Sequence, residues 1–260
     1  MEEKKEPILK LSLSKTKTFL NCKKQYKYNY ILKIPQKEQI HHTFGKFAHK
    51  ILEDFHNAYI NGSVNAFSYE MNIAWKNAVA EFSDKLSPEL RKECWNIADS
   101  YLKKMYQYQK NNKVPNVLFC EKNFYIELKE GIILNGAIDR IQKDHDGIYH
   151  VLDYKTTKNK KYLKDDYFQL ITYAFVLLEE DPTIEKVRGS YVLLRHDFEE
   201  VTFEFDKKEI LDIKEKYINY AEKILKEVDF NANVNNLCPW CPYAELCEEY
   251  KSTKKQEVSW

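Results

Sequence analysis

Glycine occurs six times and proline seven times in 260 residues. No Pro- or Ser-rich stretch, low-complexity run or internal repeat divides the chain, which argues against modules joined by flexible linkers. No apolar run approaches the ~20 residues needed to cross a bilayer, so no membrane span is expected. The first ten residues, MEEKKEPILK, lack the apolar stretch of a secretory signal, and a cytoplasmic location is expected. In that reducing setting the six cysteines are not expected to form a disulfide framework, and a metal site becomes the leading use for any that cluster. No G-x-x-x-x-G-K-[ST] motif occurs, so the chain is expected to carry no nucleotide-driven motor. A large net charge is also missing. The total is +1, so the chain as a whole is no polycation. Lysine is concentrated in residues 1–50 and at Lys155, Lys158, Lys160, Lys161 and Lys164. Such stripes can follow a phosphate backbone, and a solvated lysine-rich surface accounts for each run equally well.

What is present reads as folded and globular. Hydrophobic residues make up 43% and charged residues 31%, a balance that excludes a disordered chain. The length suits one domain that buries roughly 70% or more of its unfolded surface. A helix is expected from a serine cap at Ser14 to about Tyr28. Phe44, Phe47, Ala48, Ile51, Leu52, Phe55 and Tyr59 recur at helical spacing until Asn61-Gly62. Two more helical stretches, near 66–82 and 88–112, read as an inserted helical layer. The pattern then changes to strands at 117–128, 132–141 and 148–155, with turns at Glu130-Gly131 and Asp144–Gly147. A helix over roughly 165–180, a hairpin of 187–194 with 199–205, and a long helix over 207–228 complete a mixed α/β order.

The hairpin of 132–155 carries the first candidate chemistry. With its turn near His145, Asp139 is expected almost opposite Val151, and Asp153 diagonally across. Side chains alternate faces, so Asp139, Asp153 and Lys155 share one face, while Leu152 and Tyr154 point to the other. Neighbouring carboxylates repel unless a cation lies between them, and oxygen ligands suit Mg²⁺ or Mn²⁺. A lysine at the same pocket could orient water or stabilise charge building on a phosphate. Together these are the parts of metal-assisted phosphodiester hydrolysis. The ordinary alternative is the polar face of a hairpin, which alternating strands expose routinely. His49, Glu53 and His56 share a face of the 44–60 helix. Gly45, four residues before His49, and Gly136, three before Asp139, suggest close approach of a backbone or ligand. Gln169 and Tyr173 lie at i, i+4 on the helix after the hairpin.

Gly45-Lys-Phe-Ala-His49, Gly136-Ala-Ile-Asp139-Arg140, Asp153-Tyr-Lys155-Thr156 and Gln169-Leu-Ile-Thr-Tyr173 occur in that order. They resemble the RecB-like branch of the PD-(D/E)XK nuclease superfamily. The resemblance implies a restriction-endonuclease-like mixed sheet core flanked by helices, with a helical insertion at about 63–113, in one nuclease domain over 1–260. It implies that His49, Asp139, Asp153 and the Tyr154 carbonyl bind metal, and that Lys155 is the catalytic lysine. Gln169, Tyr173, Arg140 and Glu53 would support the site and the DNA. The sequence departs from many relatives at Gln142, where they carry an acid, and at Lys23, where they carry a proline.

Cys238-Pro-Trp-Cys241 and Cys247 form C-x2-C-x5-C, with Cys22 far away in sequence. The arrangement is similar to the cluster of AddB-type nucleases and of CRISPR-associated nucleases that trim spacers. That likeness implies a four-iron–four-sulfur cluster held by Cys22, Cys238, Cys241 and Cys247, in a C-terminal cap made of about 236–250 together with Cys22. Zinc is the rival occupant, because Cys₄ zinc sites also use C-x2-C. Cys94 and Cys120 read as small buried hydrophobes. The function implied is a metal-dependent exonuclease or flap nuclease acting on single-stranded DNA ends in repair, recombination or replication, with any helicase a separate partner. A CRISPR spacer-processing nuclease with an integrase partner is the alternative within enzymes. A catalytically inactive DNA-binding scaffold is the alternative outside them.

Overall fold

The computed structural model describes residues 8–36, 40–163 and 166–257. Its strands are β1 (Leu9–Leu11), β2 (Asn116–Lys129), β3 (Ile132–Lys143), β4 (Tyr149–Lys155), β5 (Lys186–Leu193) and β6 (Glu199–Asp206). Its helices are α1 (Leu13–Asn21), α2 (Lys23–Tyr26), α3 (Ile40–Ile60), α4 (Phe67–Phe82), α5 (Pro88–Lys110), α6 (Phe168–Glu180), α7 (Lys207–Lys226) and α8 (Glu248–Glu257). The six strands form one mixed sheet in the order β1-β3-β4-β5-β6, with β2 also paired to β3. β3–β4 and β5–β6 are antiparallel, whereas β1–β3 and β4–β5 are parallel. No helix among the described residues is long and apolar enough to cross a membrane.

The chain divides into two compact units. The larger comprises Gln39–Phe124 and Ala137–Lys214. Its helical layer follows from periodicity. Phe44, Phe47, Ala48, Ile51, Leu52 and Phe55 of α3 are all buried, and they join Met71, Ala74 and Ala78 of α4 and Cys94, Ala98 and Tyr101 of α5 in one core. Leu152 and Tyr154 of β4 belong to the same core. α5 starts where Ser87 Oγ accepts from the Leu90 amide and Pro88 fills the first turn, where its missing N–H costs nothing. α6 is buried from Leu170 to Leu178, as a crossover helix between two parallel central strands must be. It can lie this close because Gly189 has no side chain: a Cβ there would stand 2.9 Å from Leu170 Cβ. Lys164 and Asp165, part of the basic stretch and of the expected helix start, lie outside the described residues.

The smaller unit comprises Met1–Glu38, Tyr125–Gly136 and Glu215–Trp260. Within it, β1 pairs parallel to the start of β3, Leu9 opposite Ile132. Phe19, Tyr26 and Phe230 pack as a short aromatic stack, and the Lys23–Glu227 ion pair at 2.5 Å flanks it.

Three expectations need correction. The single helix over 14–28 is capped by Ser12, not Ser14, and is broken at Cys22, whose backbone is extended (φ −157°, ψ 111°). The β3–β4 register is offset by two residues from the one expected. Val151 pairs with Ile141, so Asp139 falls in line with Asp153 beyond the last paired rung, Arg140–Leu152. The reason is the turn: Asp144 and Ile148 close it by their own backbone bond, which carries the strands two residues further round. A two-residue offset preserves the face, so Asp139, Asp153 and Lys155 still share one side. Gly45 is not forced by close approach, since a Cβ there would make an ordinary 3.6 Å contact with Thr156 Oγ1.

Candidate active site and cysteine cavity

The ladder between β3 and β4 opens at Asp139 and Asp153, and side chains replace it. Asp139 Oδ2 accepts from the Tyr154 amide at 2.7 Å. The other groups at this opening come from α3, β2 and α6. His49, on α3, has Nε2 3.0 Å from the Tyr154 carbonyl and Nδ1 3.4 Å from Asp139 Oδ2. Asp153 is 3% exposed. Its Oδ1 accepts from Gln169 Nε2 at 2.5 Å and from the Tyr173 hydroxyl at 3.4 Å. Its Oδ2 lies 2.5 Å from Lys155 Nζ. Gln169 closes the ring, because its Oε1 accepts from Lys155 Nζ at 3.0 Å. The i, i+4 spacing of Gln169 and Tyr173 on α6 puts both side chains on the same carboxylate.

Glu121 is the residue that sequence reasoning missed. It sits on β2, and its carboxylate, His49 and Asp139 offer ligand atoms within 4.8 Å of one another. Along β2 the odd positions 119, 123, 125, 127 and 129 are exposed, so alternation puts Glu121 outside. Its φ of +47° turns it inward instead. A positive φ at one glutamate leaves no trace in the residue pattern, so no sequence signal was available.

The electrostatics mark an uncompensated cluster. Burial, followed by the Asp153 charge, pushes the Asp139 carboxyl well above the carboxylate range. Burial and then Asp139 push Glu121 up to about 7. Burial lowers His49 against the opposing pull of Asp153, so the imidazole is neutral near pH 7, the form that can ligate a cation. Three carboxylates and a neutral imidazole facing one another is a donor set that a hard divalent cation satisfies and that water alone does not.

Arg140 and Glu53 lie elsewhere. Arg140 is 4% exposed and points to the opposite face of β3 from Asp139. One guanidinium nitrogen donates to the hydroxyls of Tyr101 at 2.8 Å and Tyr154 at 3.1 Å and lies 3.2 Å from His56 Nε2. Buried there, it holds the Tyr154 hydroxyl from the face opposite Asp139. His56 is buried in the same network, held neutral by burial and by Arg140. Glu53 turns toward Lys50 Nζ, 3.6 Å away, and is not in the ligand group. Of the basic stretch, Lys160 pairs with Glu199 at 2.6 Å on the surface.

In the smaller unit, Cys22, Cys238, Cys241 and Cys247 line one cavity of about 180 Å³ together with Tyr28 and Trp240. All four are free thiols. Backbone amides point at two of them: Asn233 N donates to Cys22 Sγ at 3.5 Å and Asn235 N to Cys238 Sγ at 3.2 Å. Among the described residues no three of these sulfurs lie within 4.8 Å of one another. Burial, and then the neighbouring cysteines, raise the Cys241 thiol. Cys94 is fully buried and Cys120 half-buried, away from the cavity lining.

A family model described as the PD-(D/E)XK nuclease superfamily matches residues 10–248. The chain is 26% identical over 242 residues to one of the subunits of an ATP-dependent helicase/deoxyribonuclease of Streptococcus pyogenes serotype M3, and 27% identical to its counterpart in serotype M6. Each match covers 85% of this chain but only 22% of the relative, so the chain spans about a fifth of those proteins. A solved structure from Eubacterium rectale, described as a candidate exonuclease, superposes with a TM-score of 0.51 at 11% identity, covering 93% of this chain and 86% of that one.

Proposed function

Because the chain belongs to the PD-(D/E)XK nuclease superfamily, and has the mixed sheet flanked by helices of a restriction-endonuclease-like fold, we propose that it is a divalent-metal-dependent DNA nuclease. The observation that carries this reading is the meeting of His49, Asp139, Asp153 and Lys155 where the β3–β4 ladder opens. In the working site His49, Asp139, Asp153 and the Tyr154 carbonyl would hold Mg²⁺ or Mn²⁺. The cation would supply Lewis acidity toward a phosphate and a more acidic water. Lys155 holds a positive charge within reach of the reacting phosphate, and Gln169 keeps its ammonium in place. Tyr173 and Gln169 fix the Asp153 carboxylate. Arg140 fixes the Tyr154 ring and so the strand that carries both catalytic side chains.

The preferred substrate is DNA with a single-stranded end or flap, and a helicase would act with the chain as a partner. The relatives, whose names join a helicase to a deoxyribonuclease, support DNA as the substrate and a helicase as the partner. Digestion of end-labelled single-stranded, duplex and flapped DNA, with Mg²⁺ or Mn²⁺ and with chelator, tests this. Cleavage of an open strand that chelation abolishes is expected, and metal-independent cleavage or none would sink the reading.

The cysteine cavity is read as the seat of a four-iron–four-sulfur cluster. Tetrahedral zinc at Zn–S ~2.3 Å needs sulfurs roughly 3.8 Å apart. The four sulfurs line one cavity, and among the described residues no three of them lie within 4.8 Å of one another. Amides donated to sulfur favour the thiolate form that such a cluster requires. Iron and zinc analysis of anaerobically purified protein tests this reading.

A further inference from the structure

Residues 8–36 hold seven lysines and no acidic residue. Acids from elsewhere in the smaller unit answer two of them: Glu227 pairs with Lys23 and Glu249 with Lys24. Lys10, Lys15 and Lys33 have no acid partner among the described residues. They are nevertheless gathered. Lys15, on α1, donates from Nζ to the Lys10 carbonyl on β1 at 2.9 Å, which fixes it beside that strand. Burial, and then the charges of Lys10 and Lys33, lower the Lys15 ammonium below its ordinary value. Like charges held together cost free energy that an anion among them returns. Two tyrosine rings stand against these cations: Lys10 Nζ is 5.7 Å from the centre of the Tyr125 ring, and Lys15 Nζ is 5.6 Å from that of Tyr30. Tyr125, on β2, is 59% exposed. Tyr30 lies in a π-helical turn, Lys27–Ile31, and Lys33 follows it at φ +51°. The segment is tied down just beyond: the buried Tyr243 hydroxyl donates to the Ile34 carbonyl at 3.1 Å and accepts from Gln36 Nε2 at 3.0 Å. Rings and ammonium groups are thus presented on an anchored backbone.

We propose that Lys10, Lys15 and Lys33, with the rings of Tyr30 and Tyr125, form a binding surface for a single strand of DNA on the smaller unit. The ammonium groups take phosphates, and the rings take bases by stacking, a contact that every base can make. An anionic lipid surface also attracts lysines, but it is held by the apolar face of an amphipathic helix. These lysines come instead from a strand, a helix and the backbone after a π-helical turn, with tyrosine rings between them. Naming the strand as DNA rests on the nuclease reading; the binding surface and its test do not.

The test is fluorescence anisotropy of a labelled oligothymidylate with the whole chain, in chelator so that nothing is cut. Changing Lys10, Lys15 and Lys33 together to Gln should weaken binding by about 10–100-fold near ~0.1 M salt. It should also make the salt slope shallower by about 2, since each phosphate contact on a single strand contributes about 0.7. Tyr125→Leu should cost about fivefold or more, whereas Tyr125→Phe should stay within about twofold of wild type, because the ring stacks without its hydroxyl. Circular dichroism checks that each variant is folded. The matched control changes Lys103, Lys186 and Lys207 to Gln; these pair with Asp99, Glu204 and Glu185, and their loss removes the same charge. It should bind within about threefold of wild type, as paired surface lysines contribute little. Unchanged binding in the first triple variant, or an equal loss in the control, would overturn the proposal. So would a wild-type protein that binds phosphatidylserine vesicles and not the oligonucleotide. Strand binding through these residues with no cleavage in Mg²⁺ or Mn²⁺ would sink the nuclease reading and leave this one standing.

Discussion

Glu121→Gln should make the metal-free protein more stable, by an amount that grows from about pH 4.5 and is complete above about pH 7. Burial, and then the Asp139 charge, raise the Glu121 carboxyl from an ordinary 4.5 to about 7. The folded chain thus binds this proton more tightly than the unfolded chain, and stability falls as pH rises from about 4.5 to about 7. At roughly 1.4 kcal/mol per pH unit the whole interval corresponds to about 3 kcal/mol. The side chain is only partly buried, so solvent screening reduces this to about 1–2 kcal/mol. Glutamine carries no charge to repel Asp139. Without metal, the variant should exceed wild type by that amount at pH 8, or roughly 2–8 °C in Tm for a chain of this size, and match it at pH 5. Thermal melts in chelator at the two pH values measure this. Adding Mn²⁺ at pH 8 should reverse the order, because the cation stabilises the form that binds it. A variant no more stable than wild type at pH 8, or equally stabilised at pH 5, would refute the account of the acid cluster.

Asp153→Ala and Lys155→Ala should abolish cleavage while leaving DNA affinity within a few-fold, because affinity comes from distributed phosphate contacts; full single-turnover activity in either would remove them from the reaction. His49→Ala should move the activity optimum to higher Mn²⁺ concentration, and an unchanged metal titration would return His49 to a packing role. Protein purified without oxygen should be brown with about four irons per chain, and Cys22→Ser should lose both the iron and several degrees of Tm, since Cys22 and Cys238 close a long loop; one zinc and no iron would change the occupant. Gly189→Ala should destabilise by about 1–3 kcal/mol in urea unfolding, because its Cβ would stand 2.9 Å from Leu170 Cβ and 3.1 Å from the Phe205 ring; a neutral result would mean that α6 shifts freely.

Much of the site was legible without coordinates because it obeys local rules. Period-two alternation puts Asp139, Asp153 and Lys155 on one face whatever the exact register, and period-3.6 spacing aligns Gln169 with Tyr173 and His49 with its helix. The strand and helix limits follow from the same periodicities, with Ser87-Pro88 and Gly62 as punctuation. The tertiary structure decided what no local rule reaches. Arg140 adjoins Asp139 in sequence, but the next residue of a strand faces the other way, into a buried network with Tyr101 and His56 contributed from α5 and α3. β1 is three residues long and is defined only by its parallel partner more than a hundred residues away. Cys22 reaches the cavity of Cys238, Cys241 and Cys247 because the first helix breaks at that residue. Glu121 joins His49 and Asp139 because a single backbone angle overturns the alternation that makes the rest of β2 readable. Residue types and their periods therefore determined which faces carry chemistry. Which distant side chains complete those faces was set by long-range pairing and by one local departure from the strand pattern, and neither is encoded in spacing along the chain.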